Sequence, residues 1–309
     1  MSDPTPLPTI RETSDCGRES TQRGDCRPQT EVSRVSDAGT PPRHSPRAHL
    51  DAHVHLWDVD AFELPWFRAD LDLPPRVLIA DLEGANPAGV GAVAVQAANT
   101  LREFTWLEDE TSTAARPVRL VGQYEPSADG WAGVLQPRWR HLAGVRLAAG
   151  SARADLSDFA GLDQLAEGLS EHGLVLELLL RPEQLPAATA LAARHPALRT
   201  VLCHLGLGFA EPDVNWYRAL ADFASLPAAH AKVSGVIHHS EPNERLRRIV
   251  AHARESFGAR RLLFGSDWPM SARVAPHETI VALTAAAWGE DATDADDFWG
   301  ATARRLYGF

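Results

Sequence analysis

The chain has 309 residues, of which 44% are hydrophobic and 23% are charged. This length allows two ordinary domains or one large α/β barrel, and the composition is typical of globular proteins, which excludes wholesale disorder. The formal net charge of −11 repels phosphate, so we expect no nucleic acid partner. We find no apolar run long enough for a membrane-spanning helix and no apolar secretory segment, and we therefore expect a cytoplasmic protein that does not contact membranes.

Residues 1–47 differ in composition from the rest of the chain. They contain seven Pro, six Ser and six Thr, no aromatic residue, and only four residues of Leu, Ile or Val. Burial of so few apolar groups cannot offset the entropy of ordering. We predict a disordered N-terminal extension at 1–47 and one domain at 48–309. Cys16, Cys26 and Cys203 are too scattered for a disulfide scaffold, which is consistent with a reducing compartment.

From Leu50 onward, short apolar runs alternate with stretches of helical period, a pattern typical of α/β folds. The predicted strands are His49–Val54, Gly91–Val95, Val118–Gly122, Leu142–Leu147, Leu174–Leu180, Thr200–Cys203, Ala231–Val236 and Leu262–Gly265. The predicted helices are Ala98–Ala115, Leu162–Leu169, Glu183–His195, Asn215–Leu226 and Leu246–Phe257, with a weaker helical pattern at 127–140.

Eight strand–helix units within about 260 residues predict a (β/α)8 TIM barrel. The alternative is a doubly wound open sheet, which typically carries a glycine-rich phosphate loop after its first strand. Here the first strand instead runs into Asp51-Ala-His-Val-His55. The sequence therefore favours the barrel.

Three predicted strands end in groups that can carry chemistry. Asp51, His53 and His55 alternate along the first strand, so their side chains share one face. His204 follows the sixth strand and Asp267 follows the eighth. Because the carboxyl ends of barrel strands meet at the rim where such enzymes place their sites, we expect these groups to converge. Each has a structural alternative, such as a histidine bonded to a carbonyl or an aspartate in a turn.

These stretches resemble the amidohydrolase superfamily, specifically its TIM-barrel lactone hydrolases related to L-fuconolactonase, L-rhamnonolactonase and 2-pyrone-4,6-dicarboxylate lactonase. The matching motifs, spread over roughly residues 49–309, are Leu50-Asp-Ala-His-Val-His-Leu-Trp-Asp58, Val95-Gln-Ala97, Gly144-Val-Arg146, Cys203-His-Leu-Gly206, Lys232-Val-Ser-Gly235 and Phe264-Gly-Ser-Asp-Trp-Pro269. The resemblance implies that His53, His55 and His204 line a polar pocket and that Asp267 is the general base that activates water. The family usually has Asp before this histidine, whereas this chain has Cys203. The sequence therefore does not show which group orients the His204 ring.

The resemblance also implies at most one metal ion. Better-known amidohydrolases hold two ions with a bridging Lys or Glu on the fourth strand and a histidine on the fifth, and neither group is present at Gly144–Leu147 or Leu174–Leu180. His53, His55 and Asp267 are the implied ligands of one divalent ion, most readily zinc. The branch also includes metal-free enzymes, in which these histidines bind the substrate directly.

Further polar and aromatic residues are candidates for substrate binding. Arg146 and Gln96 lie on strands expected to reach the pocket, and Trp57 and Trp268 lie near rim loops where a ring can stack on a sugar or pyrone. The weaker candidates are Trp66, Trp106, His238 and His239. The structural alternatives are packing for the tryptophans, a loop tie for Gln96, and an internal pair of Glu177 with Arg146 or Lys232.

The sequence thus supports the hypothesis of a hydrolase that opens a small lactone, of sugar-lactone or of pyrone or muconolactone type. Two alternatives stay open: a metal-dependent decarboxylase of the same superfamily, and a non-catalytic barrel that binds a metabolite. The expected partner is a small-molecule substrate, and the expected state is a monomer or a homodimer.

Overall fold

The computed structural model describes residues 48–98, 100–124, 136–208, 210–289 and 294–309. Its central sheet consists of eight parallel strands, β1 to β8, paired in chain order. They are β1 His49–Val54, β2 Gly89–Val95, β3 Val118–Gln123, β4 Leu142–Ala148, β5 Val175–Leu179, β6 Arg199–Leu202, β7 Ala229–Val233 and β8 Leu262–Phe264. All eight predicted strands are confirmed.

The sheet closes into a ring between β1 and the segment that follows β8. Val54 forms a parallel bridge with Trp268, and the backbone N–H of His55 donates to the Trp268 carbonyl at 2.8 Å. The N–H of Asp267 donates to the His53 carbonyl at 2.9 Å. The predicted (β/α)8 barrel is confirmed. Because the closing bonds involve the candidate site residues themselves, barrel closure also sets their spacing.

Helices surround the barrel. They are α1 Ile79–Ala85, α2 Leu101–Thr111, α3 Leu162–Glu171, α4 Leu185–Arg194, α5 Val214–Ala224, α6 Glu244–Phe257, α7 His277–Trp288 and α8 Thr302–Tyr307. Side chains of Thr100, Asp213 and Asn243 accept the N–H three residues on, which explains where α2, α5 and α6 begin. The predicted extension at 1–47 and most of 127–140 lie outside the described residues. None of the helices in the described ranges is long and apolar enough to cross a membrane.

Alternation along the strands separates two apolar clusters. Ala94, Leu176 and Leu202 belong to the larger cluster with the helices, whereas Val93 and Val201 belong to a smaller one. The smaller cluster also contains Leu306 and Tyr307 of α8. The interior of the barrel is therefore a packed core at its amino end, and space for a ligand lies at the carboxyl end.

Candidate active site

Four polar side chains from three strand ends meet at the carboxyl end of the barrel. Asp267 Oδ1 lies 3.6 Å from His53 Nε2, 3.8 Å from His55 Nε2 and 3.9 Å from His204 Nε2. The structure thus brings together the groups that the sequence placed at the ends of β1, β6 and β8.

The histidine rings are held in place by specific partners. His55 Nδ1 lies 2.7 Å from the Val95 carbonyl oxygen, and His204 Nδ1 lies 2.9 Å from Ser234 Oγ. The Cys203 thiol donates to Glu177 Oε2 at 3.3 Å. Ser234, rather than the residue before His204, therefore orients the His204 ring. Sequence reasoning missed this role, although Ser234 stands in the quoted motif Lys232-Val-Ser-Gly235.

The backbone is strained at two of these positions. His204 has a φ of 53° and Asp267 a φ of 62°, in the left-handed region that residues other than glycine rarely adopt. Such conformations cost about 1–3 kcal/mol each and occur chiefly at functional sites. Gly235 makes room for the His204 ring, since a Cβ at Gly235 would lie 2.5 Å from His204 Nδ1.

Asp51 lines neither of the two cavities described below; its carboxylate lies beneath the site and connects β1 to the segment after β8. Its Oδ1 accepts hydrogen bonds from the backbone N–H of Ser266 at 2.8 Å and of His53 at 3.2 Å. Its Oδ2 lies 3.0 Å from His277 Nε2 on α7. Burial alone would raise the pKa of Asp51, but the bonds from His277 and Ser266 lower it overall. Asp51 therefore stays ionised and fixes the ends of β1 and β8 to each other.

Burial sets the charges of the site. It raises the pKa of Asp267 to about 7, Asp51 adds to this effect, and Arg146 and Lys232 oppose it. Burial also lowers the pKa of His204 to about 3. It holds the pKa values of His53 and His55 well below 6.5.

At neutral pH the three imidazoles are accordingly uncharged. Asp267 can both take up and release a proton near pH 7, as a general base at this pH requires.

A cavity of about 350 Å³ opens above these groups, lined among others by His55, His204, Asp267, Arg146 and Trp66. This volume suits a small cyclic molecule. His53 lies beneath the cavity, fully buried.

A second cavity of about 440 Å³ adjoins the first and shares Gly235, Asp267 and Met270 with it. Ser271 and His238 line this second cavity. Ser271 Oγ and His238 Nε2 are buried and have no hydrogen-bond partner in the described part of the chain. Both residues thus place a polar group with unused hydrogen-bonding capacity beside this cavity.

The candidate substrate-binding residues differ in where they lie. Arg146 lines the first cavity, and its Nη2 donates to Gln123 Oε1 at 2.6 Å and to the Gln96 carbonyl at 2.5 Å. The Gln96 amide donates to the Thr100 carbonyl at 2.9 Å and accepts the N–H of Gln123 at 2.9 Å. The Gln96 side chain thus joins the loop after β2 to the end of β3, which is the structural alternative to substrate binding. Arg146, by contrast, faces the ligand cavity.

The structure does not bring Trp57 or Trp268 to either of the two described cavities. Trp57 is fully buried and donates to the Pro74 carbonyl at 2.9 Å. Trp66 supplies the aromatic wall of the first cavity and is fixed by a bond to the Ala97 carbonyl at 2.8 Å. Trp106 packs against Phe62.

Comparison with known proteins identifies the family. The amidohydrolase family model matches residues 50–309. The chain belongs to the amidohydrolase family. L-Fucono-1,5-lactonase of Burkholderia multivorans (strain ATCC 17616 / 249) is 30% identical over 284 residues, which cover 84% of this chain and 95% of that protein. A solved amidohydrolase from Burkholderia multivorans with bound zinc superimposes with a TM-score of 0.74 at 27% identity, covering 84% of this chain and 99% of that one.

The site of this amidohydrolase has donors suited to one divalent metal ion. Ligand atoms of His53, His204 and Asp267 lie within 4.8 Å of one another, and His55 Nε2 lies 3.8 Å from Asp267 Oδ1. Imidazole nitrogen and carboxylate oxygen are ordinary zinc ligands, and bonds of about 2.0–2.1 Å place tetrahedral ligands about 3.3 Å apart. The residues fit such an ion in type and spacing.

A buried ion pair lies directly below the amidohydrolase site. Lys232 Nζ is 2.6 Å from Glu177 Oε1 and 3.2 Å from His53 Nδ1, and all three side chains are fully buried. The internal pair of Glu177 with Lys232 is therefore present. The Tyr307 hydroxyl donates to the same Glu177 oxygen at 2.6 Å. A ligating histidine usually donates its second N–H to an acceptor, whereas His53 Nδ1 faces an ammonium.

Proposed function

We propose that this amidohydrolase hydrolyses a small lactone, either a sugar lactone or a lactone of pyrone or muconolactone type. One observation carries the proposal: Asp267 Oδ1 lies 3.6–3.9 Å from three imidazoles at a cavity of about 350 Å³. The 30% identity to L-fucono-1,5-lactonase over 284 residues supports the same substrate class.

In the proposed reaction, Asp267 takes a proton from a water molecule as the water oxygen attacks the lactone carbonyl carbon. The carbonyl oxygen gains negative charge in this step. When the Ser234 hydroxyl donates to His204 Nδ1, Nε2 of His204 carries hydrogen and faces the cavity as a donor to this oxygen. One such donor contributes about 3 kcal/mol to transition-state stabilisation. Asp267 then returns its proton to the ring oxygen as the carbon–oxygen bond breaks, which releases a hydroxy acid.

Arg146 and Trp66 hold the substrate in this proposal. Two bonds to Gln123 Oε1, at 3.1 and 2.6 Å, fix the Arg146 guanidinium plane, and Nη1 has no partner among the described residues. Arg146 can thus bind a hydroxyl or carboxylate of the lactone while Trp66 covers the ring face.

We further propose zinc as the divalent ion, with His53, His55 and Asp267 as its ligands. Bound there, zinc would act as a Lewis acid and lower the pKa of a coordinated water. The chain's own part is to orient these ligands through Val95 and Asp51 and to exclude bulk water from them.

The test is to incubate the protein with a panel of aldonolactones and of pyrone and muconolactone-type lactones and to measure the acid released from each. Asp267→Asn keeps the shape of the side chain and removes the base. We expect ring opening by the wild type, and a loss of about 100-fold or more in kcat with lactone binding retained in the variant. Binding without turnover by the wild type would favour the metabolite-binding alternative, and release of carbon dioxide would favour the decarboxylase.

A further inference from the structure

The orientation of His55 determines where its hydrogen lies. His55 Nδ1 is 2.7 Å from the Val95 carbonyl oxygen. A carbonyl oxygen only accepts hydrogen bonds, so Nδ1 of the neutral ring carries the hydrogen and Nε2 carries a lone pair. His55 Nε2 is therefore an acceptor.

This acceptor fixes the tautomer of its neighbour. His53 Nε2 lies 3.2 Å from His55 Nε2, so it must donate the hydrogen in this contact. A neutral imidazole has one N–H, and His53 Nδ1 is consequently an acceptor.

The partner of His53 Nδ1 agrees independently with this assignment. Lys232 Nζ lies 3.2 Å from it, and an ammonium group has only donors. Glu177 holds the ammonium at 2.6 Å and also accepts the Tyr307 hydroxyl and the Cys203 thiol. The donors run in one direction, from Lys232 to His53, from His53 to His55, and from His55 to the Val95 carbonyl.

We propose that Lys232 is a positioning residue that holds His53 as the tautomer with hydrogen on Nε2 and thereby weakens metal binding at the active site. A nitrogen that carries hydrogen has no lone pair for a metal, so an ion can bind His53 Nε2 only when the neutral ring takes its other tautomer. The hydrogen then lies on Nδ1, where it meets the donor hydrogens of the Lys232 ammonium 3.2 Å away. Lys232 thus sets how readily the site passes between a hydrogen-bonded and a metal-bound form. The inference rests on the proposed function only in naming the site it controls.

Nitrogen NMR of the wild-type protein tests the tautomer directly. The protein is labelled with ¹⁵N-histidine and treated with a chelator, and long-range ¹H–¹⁵N spectra distinguish protonated from unprotonated ring nitrogens. The His53 signals are assigned by their disappearance in His53→Gln. We expect hydrogen on Nε2 and a bare Nδ1. Hydrogen on Nδ1 of His53 overturns the proposal.

Zinc affinity tests the consequence. Lys232→Met combined with Glu177→Gln removes the ion pair as a unit, so that no buried charge is left unpaired. The matched control is Tyr307→Phe, which removes a donor to Glu177 and leaves both Lys232 and His53 in place. Affinity is measured by competition with a chromophoric chelator.

We expect zinc to bind the double variant about 10–100-fold more tightly than the wild type. Substitution of residues that bond to a ligating histidine typically changes metal affinity by this factor. The affinity of the control should match the wild type. A folded double variant with unchanged or weaker zinc affinity overturns the proposal, and if that variant does not fold, the wild-type spectra decide. Neither measurement uses a lactone, so a failed lactonase assay and a failed tautomer assignment are separate results.

Discussion

The protonation of Asp267 should control the pH dependence of lactone hydrolysis. Burial raises the pKa of this carboxyl group from 3.8 to about 7, and only the ionised form can take a proton from water. With a pKa near 7, about one tenth of the sites are ionised at pH 6 and about one hundredth at pH 5. We therefore expect kcat/KM to rise about tenfold per pH unit below pH 6 and to level off above pH 8.

The assay is acid release at constant pH between about pH 5 and 8.5, with the spontaneous hydrolysis of the lactone subtracted at each pH. Arg146→Gln supplies an internal check, because Arg146 lowers the pKa of Asp267 and its removal should shift the midpoint to higher pH. The matched control is Arg194→Gln. Arg194 is an exposed arginine that pairs with Asp163 and ends α4 just before β6 begins, at the opposite end of the barrel, so its removal should leave the midpoint unchanged. A flat profile, or a midpoint near pH 4, would refute the assignment of Asp267 as a buried base.

Three further predictions concern the surroundings of the site. Gly235→Ala should lower kcat strongly without unfolding the protein, because the added Cβ would lie 2.5 Å from His204 Nδ1; activity and circular dichroism measured together check this, and unchanged kcat contradicts it. Ser271→Ala should lower kcat/KM only for lactones with a polar substituent that reaches the second cavity, by about fivefold for one lost hydrogen bond. An equal loss of kcat/KM on unsubstituted lactones contradicts a role of Ser271 in recognition. Asp267→Asn should stabilise the protein at pH 8 but not at pH 4. The unfolded chain ionises this carboxyl near 3.8 and the folded chain only near 7, so the wild type loses up to about 4 kcal/mol of stability over that interval; urea unfolding at both pH values measures it.

The barrel and the convergence of the site could be predicted because both depend on local patterns. Strand period and strand ends place His53, His204 and Asp267 at one rim whatever the details of the loops. The aromatic wall could not be predicted in this way. Trp57 and Trp66 lie in the same segment between β1 and α1, in which Trp57 pairs with Val77 in a short antiparallel ladder. Only the packing of this segment decides that Trp66 faces the cavity while Trp57 is buried.

Contacts between residues far apart in the chain could not be predicted from the sequence either. His277 meets Asp51 across 226 positions, and Tyr307 meets Glu177 across 130. Neither spacing repeats along the chain, so no periodicity reveals it. By contrast, Glu177 and Lys232 are charged residues within strands expected to face the interior, and the need of a buried charge for a partner was enough to suggest their pairing.

Lys232 is the single lysine of the chain and its side chain is fully enclosed. Reagents that acylate amines therefore meet no lysine on the surface of the folded domain. Modification of this side chain requires the barrel to open, so the rate of acylation at Lys232, followed by mass spectrometry, reports how often the strands around it separate. The protein thus contains an intrinsic reporter of barrel opening, and no residue has to be introduced for it.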